Sequence, residues 1–142
     1  MTEGKSIFCD CLYFSANSLA RNLTRLAEES FAPTGLAPSH AFALMAINRV
    51  PGVSPSEVAK EMHMTPSTIT RFLDKLEKKG LIQRISEGKS SRLHPTQKGA
   101  ELNDDLENAW RHLLSEYNAV LGEKAAAGLS GVVYDASELL KE

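Results

Sequence analysis

No uninterrupted apolar run in these 142 residues approaches the roughly 18 that a membrane-spanning helix needs, so no spanning segment is expected. Cysteine is scarce. Cys9 and Cys11 are the only two, and thiols this close in sequence cannot build the disulfide framework of a small secreted domain. The fold is therefore expected to stand on its core, for which 42% apolar residues are ample at this length. The opening Met1-Thr2-Glu3-Gly4-Lys5 lacks the basic start and apolar centre of a signal peptide, so a cytoplasmic chain is expected. Internal repeats and low-complexity tracts are also missing, and the composition excludes disordered and collagen-like classes. One domain, 1–142, is the expectation.

Catalytic groupings are lacking too. No nucleophile, base and orienting group can be assembled from named motifs, so no enzyme is expected. Gly88-Lys89-Ser90 invites a phosphate-loop reading, but the second glycine that such a loop requires falls on Gln83, and Pro95 lies close behind where a helix should follow.

What is present is an uneven distribution of charge. The formal total is −2, yet Pro55 to Gly99 holds nine Lys/Arg against five acids, a net +4, and the remainder is −6. A basic middle between acidic ends suits a segment that meets a polyanion.

Apolar spacing organises the chain into helices. Phe8, Leu12, Leu19, Leu23, Leu26 and Ala27 predict one amphipathic helix from about Ile7 to Phe31. Ser39 is a candidate cap for a second helix that Pro51-Gly52 closes. Ser54-Pro55-Ser56-Glu57 has a capping hydroxyl, proline at the first helical position and an acid three residues after the cap; Thr65-Pro66-Ser67 repeats the device eleven residues later. Helices over about Pro55–Met62 and Pro66–Lys79 then form a helix-turn-helix. Leu81–Ile85 and Ser91–His94 read as two short strands around the turn Glu87-Gly88-Lys89-Ser90, a wing. Helical spacing resumes from Thr96 to about Leu121, and a last helix follows Gly122.

The second helix of the pair carries the chemistry. Ile69, Phe72, Leu73 and Leu76 form its buried stripe. Ser67, Thr68, Thr70, Arg71, Lys75 and Lys78 are left on the other faces, hydroxyls and one arginine first, lysines behind. That order suits a helix whose tip reads bases in a major groove while its rear holds phosphates.

The string from Ser54-Pro55-Ser56-Glu57-Val58-Ala59 through Thr65-Pro66-Ser67-Thr68-Ile69-Thr70-Arg71 to Lys79-Gly80-Leu81-Ile82-Gln83-Arg84, followed by Thr96-Gln97-Lys98-Gly99, resembles the MarR family of winged helix-turn-helix regulators. The specific part covers about 45 residues, and the helix order on both sides matches. The resemblance implies a mostly α fold: a winged helix-turn-helix lobe over 37–99 with a small β-hairpin wing, and a helical dimerisation region over 6–32 and 100–142. It also implies a homodimer on pseudo-palindromic double-stranded DNA, with Ser67, Thr68, Thr70 and Arg71 on the base-reading stretch. The wing departs from the family pattern: it is shorter and lacks the usual Asp-x-Arg, leaving Lys89 as the first candidate for a tip cation and Arg92 as the second.

Three further expectations concern regulation. Cys9 and Cys11, at i and i+2 on the predicted first helix, are read as buried structural thiols; the alternative is oxidation sensing, although the reactive position of the hydroperoxide-sensing branch would align near Tyr13. A metal-sensing alternative would use His40 and His112 with Cys11, Glu107 or Glu116, but no tight ligand spacing supports it, so neither metal nor cofactor is expected. A small-molecule effector would sit, by resemblance, in a cleft lined by Phe14, Phe42, Met45 and Trp110. The expected function is a sequence-specific DNA-binding regulator, a repressor, modulated by a ligand or by oxidation. A winged-helix module for protein contacts is the alternative.

Overall fold

The order of elements is dictated by five proline-containing helix starts and breaks, and the computed structural model follows it over residues 4–141. Met1-Thr2-Glu3, read above as the start of a chain without a signal peptide, lies outside the described residues. The elements are α1 (Leu12–Phe31), a 3-10 turn (Ala32–Thr34), α2 (Pro38–Arg49), α3 (Pro55–Glu61), α4 (Pro66–Lys78), β1 (Ile82–Glu87), β2 (Ser90–Pro95), α5 (Gln97–Glu101), α6 (Asn103–Leu121) and α7 (Glu123–Leu140). The chain is mostly helical and divides into two compact units, Ser30–Trp110 and the pair Met1–Glu29 with Arg111–Glu142.

In the Ser30–Trp110 unit, α2 buries Ala41, Ala43, Leu44 and Ile47. These join Val58 of α3, Ile69, Leu73 and Leu76 of α4, Ile82 and Leu93 of the hairpin and Leu106 of α6 in one core, every one of them 2% exposed or less. Burying each of the Val, Leu and Ile side chains stabilises by about 1.5–3 kcal/mol before the cost of ordering it. The helix α2 begins one residue before the serine expected to cap it. Pro38 takes its first position and Ala37 the cap, with no side-chain bond, because proline's fixed φ and missing N–H fit the first turn.

The hairpin is antiparallel, with Ile82 opposite Pro95 at its root and Glu87 opposite Ser90 at its tip. Its strands are longer than the sequence suggested, since the turn is only Gly88-Lys89 and Pro95, at the strand end, sacrifices little of the ladder. Gly88 has φ +61°, a conformation that suits the first central position of a two-residue hairpin turn. Val53 adds a one-residue bridge to the outer edge of β2: Leu93 N–H donates to Val53 O at 2.9 Å and Gly52 N–H to Leu93 O at 2.7 Å.

At the root of the hairpin, Thr96 N–H donates to Leu81 O at 3.0 Å and its hydroxyl to Gly80 O at 2.6 Å. The same hydroxyl accepts from Gly99 N–H at 3.1 Å and so caps α5. Gly99 must lack a side chain, because a Cβ there would stand 2.0 Å from the Leu81 carbonyl oxygen. The continuous helix expected from Thr96 to Leu121 is interrupted at Leu102. Asn48 Nδ2 donates to Gly99 O at 3.1 Å and to Asn103 Oδ1 at 3.2 Å, which competes with the regular helical bonding of that turn.

In the other unit, α1 starts at Leu12 rather than near Ile7. Ser6 Oγ accepts from Phe8 N–H at 3.1 Å, and successive turns bond Cys9 N–H to Ser6 O and Cys11 N–H to Phe8 O. Short side-chain-to-backbone bonds of this kind draw the chain away from a helix. The Phe8 and Phe14 rings, 5.5 Å apart, fasten the resulting hook. On α7 only Ala126 is buried among the described residues, and Val132, Val133, Leu139 and Leu140 are exposed.

Two outcomes are expected from this packing. Gly99→Ala should cost about 2–4 kcal/mol in urea unfolding, since neither the Leu81 backbone nor the α5 turn can give way cheaply. The second concerns His40, whose ring lies 4.5 Å from Phe72 and whose pKa is lowered from 6.5 by burial, then by the charges of Lys75 and Lys79. The unfolded chain therefore takes up this proton at higher pH than the folded one, so His40's contribution to stability is present above 6.5 and lost as pH falls below it. The drop in thermal midpoint between about pH 7.5 and about pH 5.5 should be smaller in His40→Gln than in the parent.

Candidate nucleic-acid interface

The two capped helix starts read from sequence are built as expected. Ser54 Oγ accepts from Glu57 N–H at 3.2 Å, and its hydroxyl donates to the Glu57 carboxylate at 2.9 Å. Thr65 Oγ1 accepts from Thr68 N–H at 3.3 Å. Between them α3 ends in a tight reversal: Met64 N–H donates to Ala59 O at 3.0 Å and His63 N–H to Lys60 O at 3.2 Å. This is a Schellman closure with His63 in the left-handed position at φ +54°, where glycine is usual. The closure fixes the angle at which α4 leaves α3.

Of the expected buried stripe, Ile69, Leu73 and Leu76 are buried and Phe72 is half-buried beneath His40. Ser67, Thr70, Arg71, Lys75 and Lys78 are exposed and Thr68 is half-buried. Thr70 returns its hydroxyl to Pro66 O at 2.9 Å, and the Ser67 and Thr65 hydroxyls lie 3.2 Å apart. The exposed face of α4 thus offers small hydroxyls at its N-terminal end, Arg71 next, and two lysines behind.

Two carboxylates on α4 would oppose a polyanion, and both are occupied. Arg84 of β1 places Nη2 2.8 Å from Asp74 Oδ1 and Nη1 3.5 Å from Glu77 Oε1. Partly shielded, with its side chain 28% exposed, Arg84 ties β1 to α4 and offsets half of the negative charge between Arg71 and Lys78. Sequence reasoning counted Arg84 only as charge. Its partners lie seven and ten positions away across a helix end and a strand start, a spacing that no helical or strand rule connects.

The wing's two candidate cations differ in the structure. Lys89 stands exposed at the turn, with no ion pair among the described residues. Arg92 folds inward, donating from Nη1 to Gly52 O at 3.3 Å, with Nε 3.9 Å from Glu87 Oε2. Its guanidinium fastens the wing to the turn before α3.

The regulatory candidates are placed as follows. Phe31, Phe42 and Trp110 form a chain of edge-on rings, with centroids 5.5 Å and 6.2 Å apart, and Met45 is half-buried. Phe14 belongs to the other unit, where its ring partner is Phe8. Cys9 and Cys11 are both exposed and both precede α1, so the reading of them as buried thiols on a helix does not hold; the turns that delay the helix carry them outward. His40 stacks on Phe72, and His112 Nε2 lies 3.1 Å from Glu116 Oε1 on its own helix. Among the described residues no three His, Cys, Asp or Glu gather to hold a metal ion, and no helix is long and apolar enough to cross a membrane.

A sequence model described as MarR family matches residues 34–93. The HTH-type transcriptional repressor MdtR of Bacillus subtilis (strain 168) is 34% identical over 65 residues, which is 46% of this chain and 42% of that protein, so the match spans well under half the length of that relative. Among solved structures, a probable transcriptional regulator from Pseudomonas aeruginosa superposes with a TM-score of 0.82 at 20% identity, covering 89% of this chain and 97% of that one. The transcriptional repressor CouR bound to a 23-mer DNA duplex gives 0.80 at 20% identity, over 90% and 93% of the two chains. At such identities these structures testify to the fold, a mostly helical winged helix with a two-stranded hairpin. The segment that matches the MarR family, residues 34–93, is built as this winged helix-turn-helix.

Proposed function

We propose that this protein is a sequence-specific DNA-binding transcriptional regulator, a repressor, that occupies a pseudo-palindromic operator as a homodimer. The observation that carries the reading is the exposed face of α4. Its N-terminal end presents small hydroxyls and an exposed Arg71, its lysines stand behind, and its two acids are both paired with Arg84. CouR, of the same fold, is described bound to a duplex.

In this reading Ser67, Thr68, Thr70 and Arg71 meet bases, and Lys75, Lys78 and Lys89 meet phosphates or the adjacent minor groove. Arg92 serves the wing from behind. The lobe 37–99 binds DNA, and the helical segments 6–32 and 100–142 pair with a second copy in the cytoplasm. Support for pairing comes from apolar side chains that a single chain leaves uncovered: Leu12 is 67% exposed, Val132 68% and Leu140 77%. Faces of this kind fit an isologous contact. A small-molecule effector acts by changing the separation of the two α4 helices.

Light scattering at micromolar concentration should give twice the 15.5 kDa chain mass, and a monomer would overturn the dimer. On an operator selected from random duplexes, Arg71→Ala should lose about 1–3 kcal/mol while losing much less on random DNA, because a guanidinium can make two bonds to a guanine edge. Lys89→Ala should lose similar affinity on both and reduce the salt slope by about one unit, as one phosphate contact does. Equal losses for Arg71→Ala on both kinds of DNA would remove α4 as the base reader and favour a winged helix used for protein contacts.

A further inference from the structure

At the C-terminal end of α4, opposite the end that would read DNA, the winged-helix unit has a cavity of about 350 Å³ lined by Thr34, Gly35, Leu36, Lys79, Leu81, Lys98 and Leu102. Its apolar wall is three leucines, with Leu36 and Leu81 buried and Leu102 half-buried. Its charged groups are two lysines, and no aromatic ring or carboxylate is among the lining residues.

Both ammoniums are exposed, and each makes one bond to a neutral carbonyl oxygen. Lys79 Nζ donates to Gly35 O at 3.3 Å, and Lys98 Nζ to Lys79 O at 3.3 Å. Bonds from an ammonium to an anionic oxygen settle at about 2.7–2.9 Å and are about twice as strong as neutral ones. Neither lysine has an ion-pair partner among the described residues. The surroundings reinforce the positive field, for Lys79 and Lys75 both oppose protonation of the neighbouring His40. Two exposed cations without a carboxylate partner among the described residues, beside a leucine wall, are complementary to one anionic head on an apolar tail. The absence of an aromatic lining favours an aliphatic tail.

We propose that this cavity binds an aliphatic carboxylate of about six to eight carbons, a size suited to the small end of the range of ligand pockets, with its head between Lys79 and Lys98 and its chain on Leu36, Leu81 and Leu102. The head draws Lys79 from the carbonyl of Gly35 and Lys98 from the carbonyl of Lys79, the C-cap of α4. That releases two ties, one from α4 to the turn after α1 and one from α4 to α5. The regulatory consequence rests on the DNA-binding reading above; the binding itself does not.

Calorimetric titration of the full chain with octanoate, with octanamide as the uncharged control, tests the site. Octanoate is expected to bind and octanamide to bind much more weakly. Lys79→Gln and Lys98→Gln should each reduce octanoate affinity by about tenfold through loss of a charge-assisted bond, whereas Lys79→Arg retains it and Lys124→Gln, on α7, leaves it unchanged. Circular dichroism melts confirm that each variant is folded, and Lys79→Arg serves as the charge-retaining comparison should either glutamine variant unfold. No octanoate binding, equal binding of octanamide, or an equal loss in Lys124→Gln overturns the proposal. Operator affinity measured without octanoate is scored separately. A chain that binds DNA and not octanoate loses this site alone, and a chain that binds octanoate and not DNA keeps the site and loses the regulatory reading.

Discussion

The close approach of Gly99 to the Leu81 carbonyl is the constraint on which the winged-helix unit depends. Where a Cβ would stand 2.0 Å from that oxygen, the backbone of α5 can lie directly on the chain that links α4 to β1. Thr96 then closes the joint from three sides, bonding Gly80, Leu81 and Gly99. Both α4 and the hairpin are referred to this joint. The hairpin leaves it at Ile82 and returns at Pro95, and α4 ends three residues before Leu81. It also accounts physically for the Thr-x-x-Gly string at 96–99: a hydroxyl that can both cap and reach backward, and a residue with no side chain.

Charge is organised around the same unit. The basic balance between Pro55 and Gly99 would be of little use if the acids of α4 faced the same partner unpaired. Arg84 halves that conflict, while Arg92 is engaged with Gly52 and Glu87. The basic residues therefore divide between bracing and display, and Arg71, Lys75, Lys78 and Lys89 are the displayed set.

Much of this was legible because local chemistry fixed it. Caps at Ser54 and Thr65, prolines at first helical positions and the 3.6-residue stripe of α4 each act within a few residues, and each survives into the structure. What could not be read was set by partners distant in sequence. The break at Leu102 answers to Asn48, the bridge at Val53 answers to Leu93, and the pairing of Arg84 with Asp74 depends on how a strand crosses a helix. The late start of α1 is a different kind of miss. There the apolar spacing was genuine, but Ser6 offered the backbone a competing bond that periodicity does not register. With that start moved, both cysteines came to the surface.

The Val53–Leu93 bridge makes the wing a cantilever. Leu93 is clamped on both edges, to Arg84 across the hairpin and to Val53 on the other side, and Val53 runs straight into the cap of α3. Beyond Leu93 the backbone of the two strands pairs only with itself, over three further residues of β2 and the turn, roughly 10 Å at about 3.3 Å per residue, and the one side-chain tie back to the lobe there among the described residues is Arg92 on Gly52 O. Root and tip consequently have different stiffness. The root turns only with α3 and α4, as a single lever, and the outer segment can flex by itself. A hairpin built this way can shift at its tip without disturbing the angle at which α4 leaves α3.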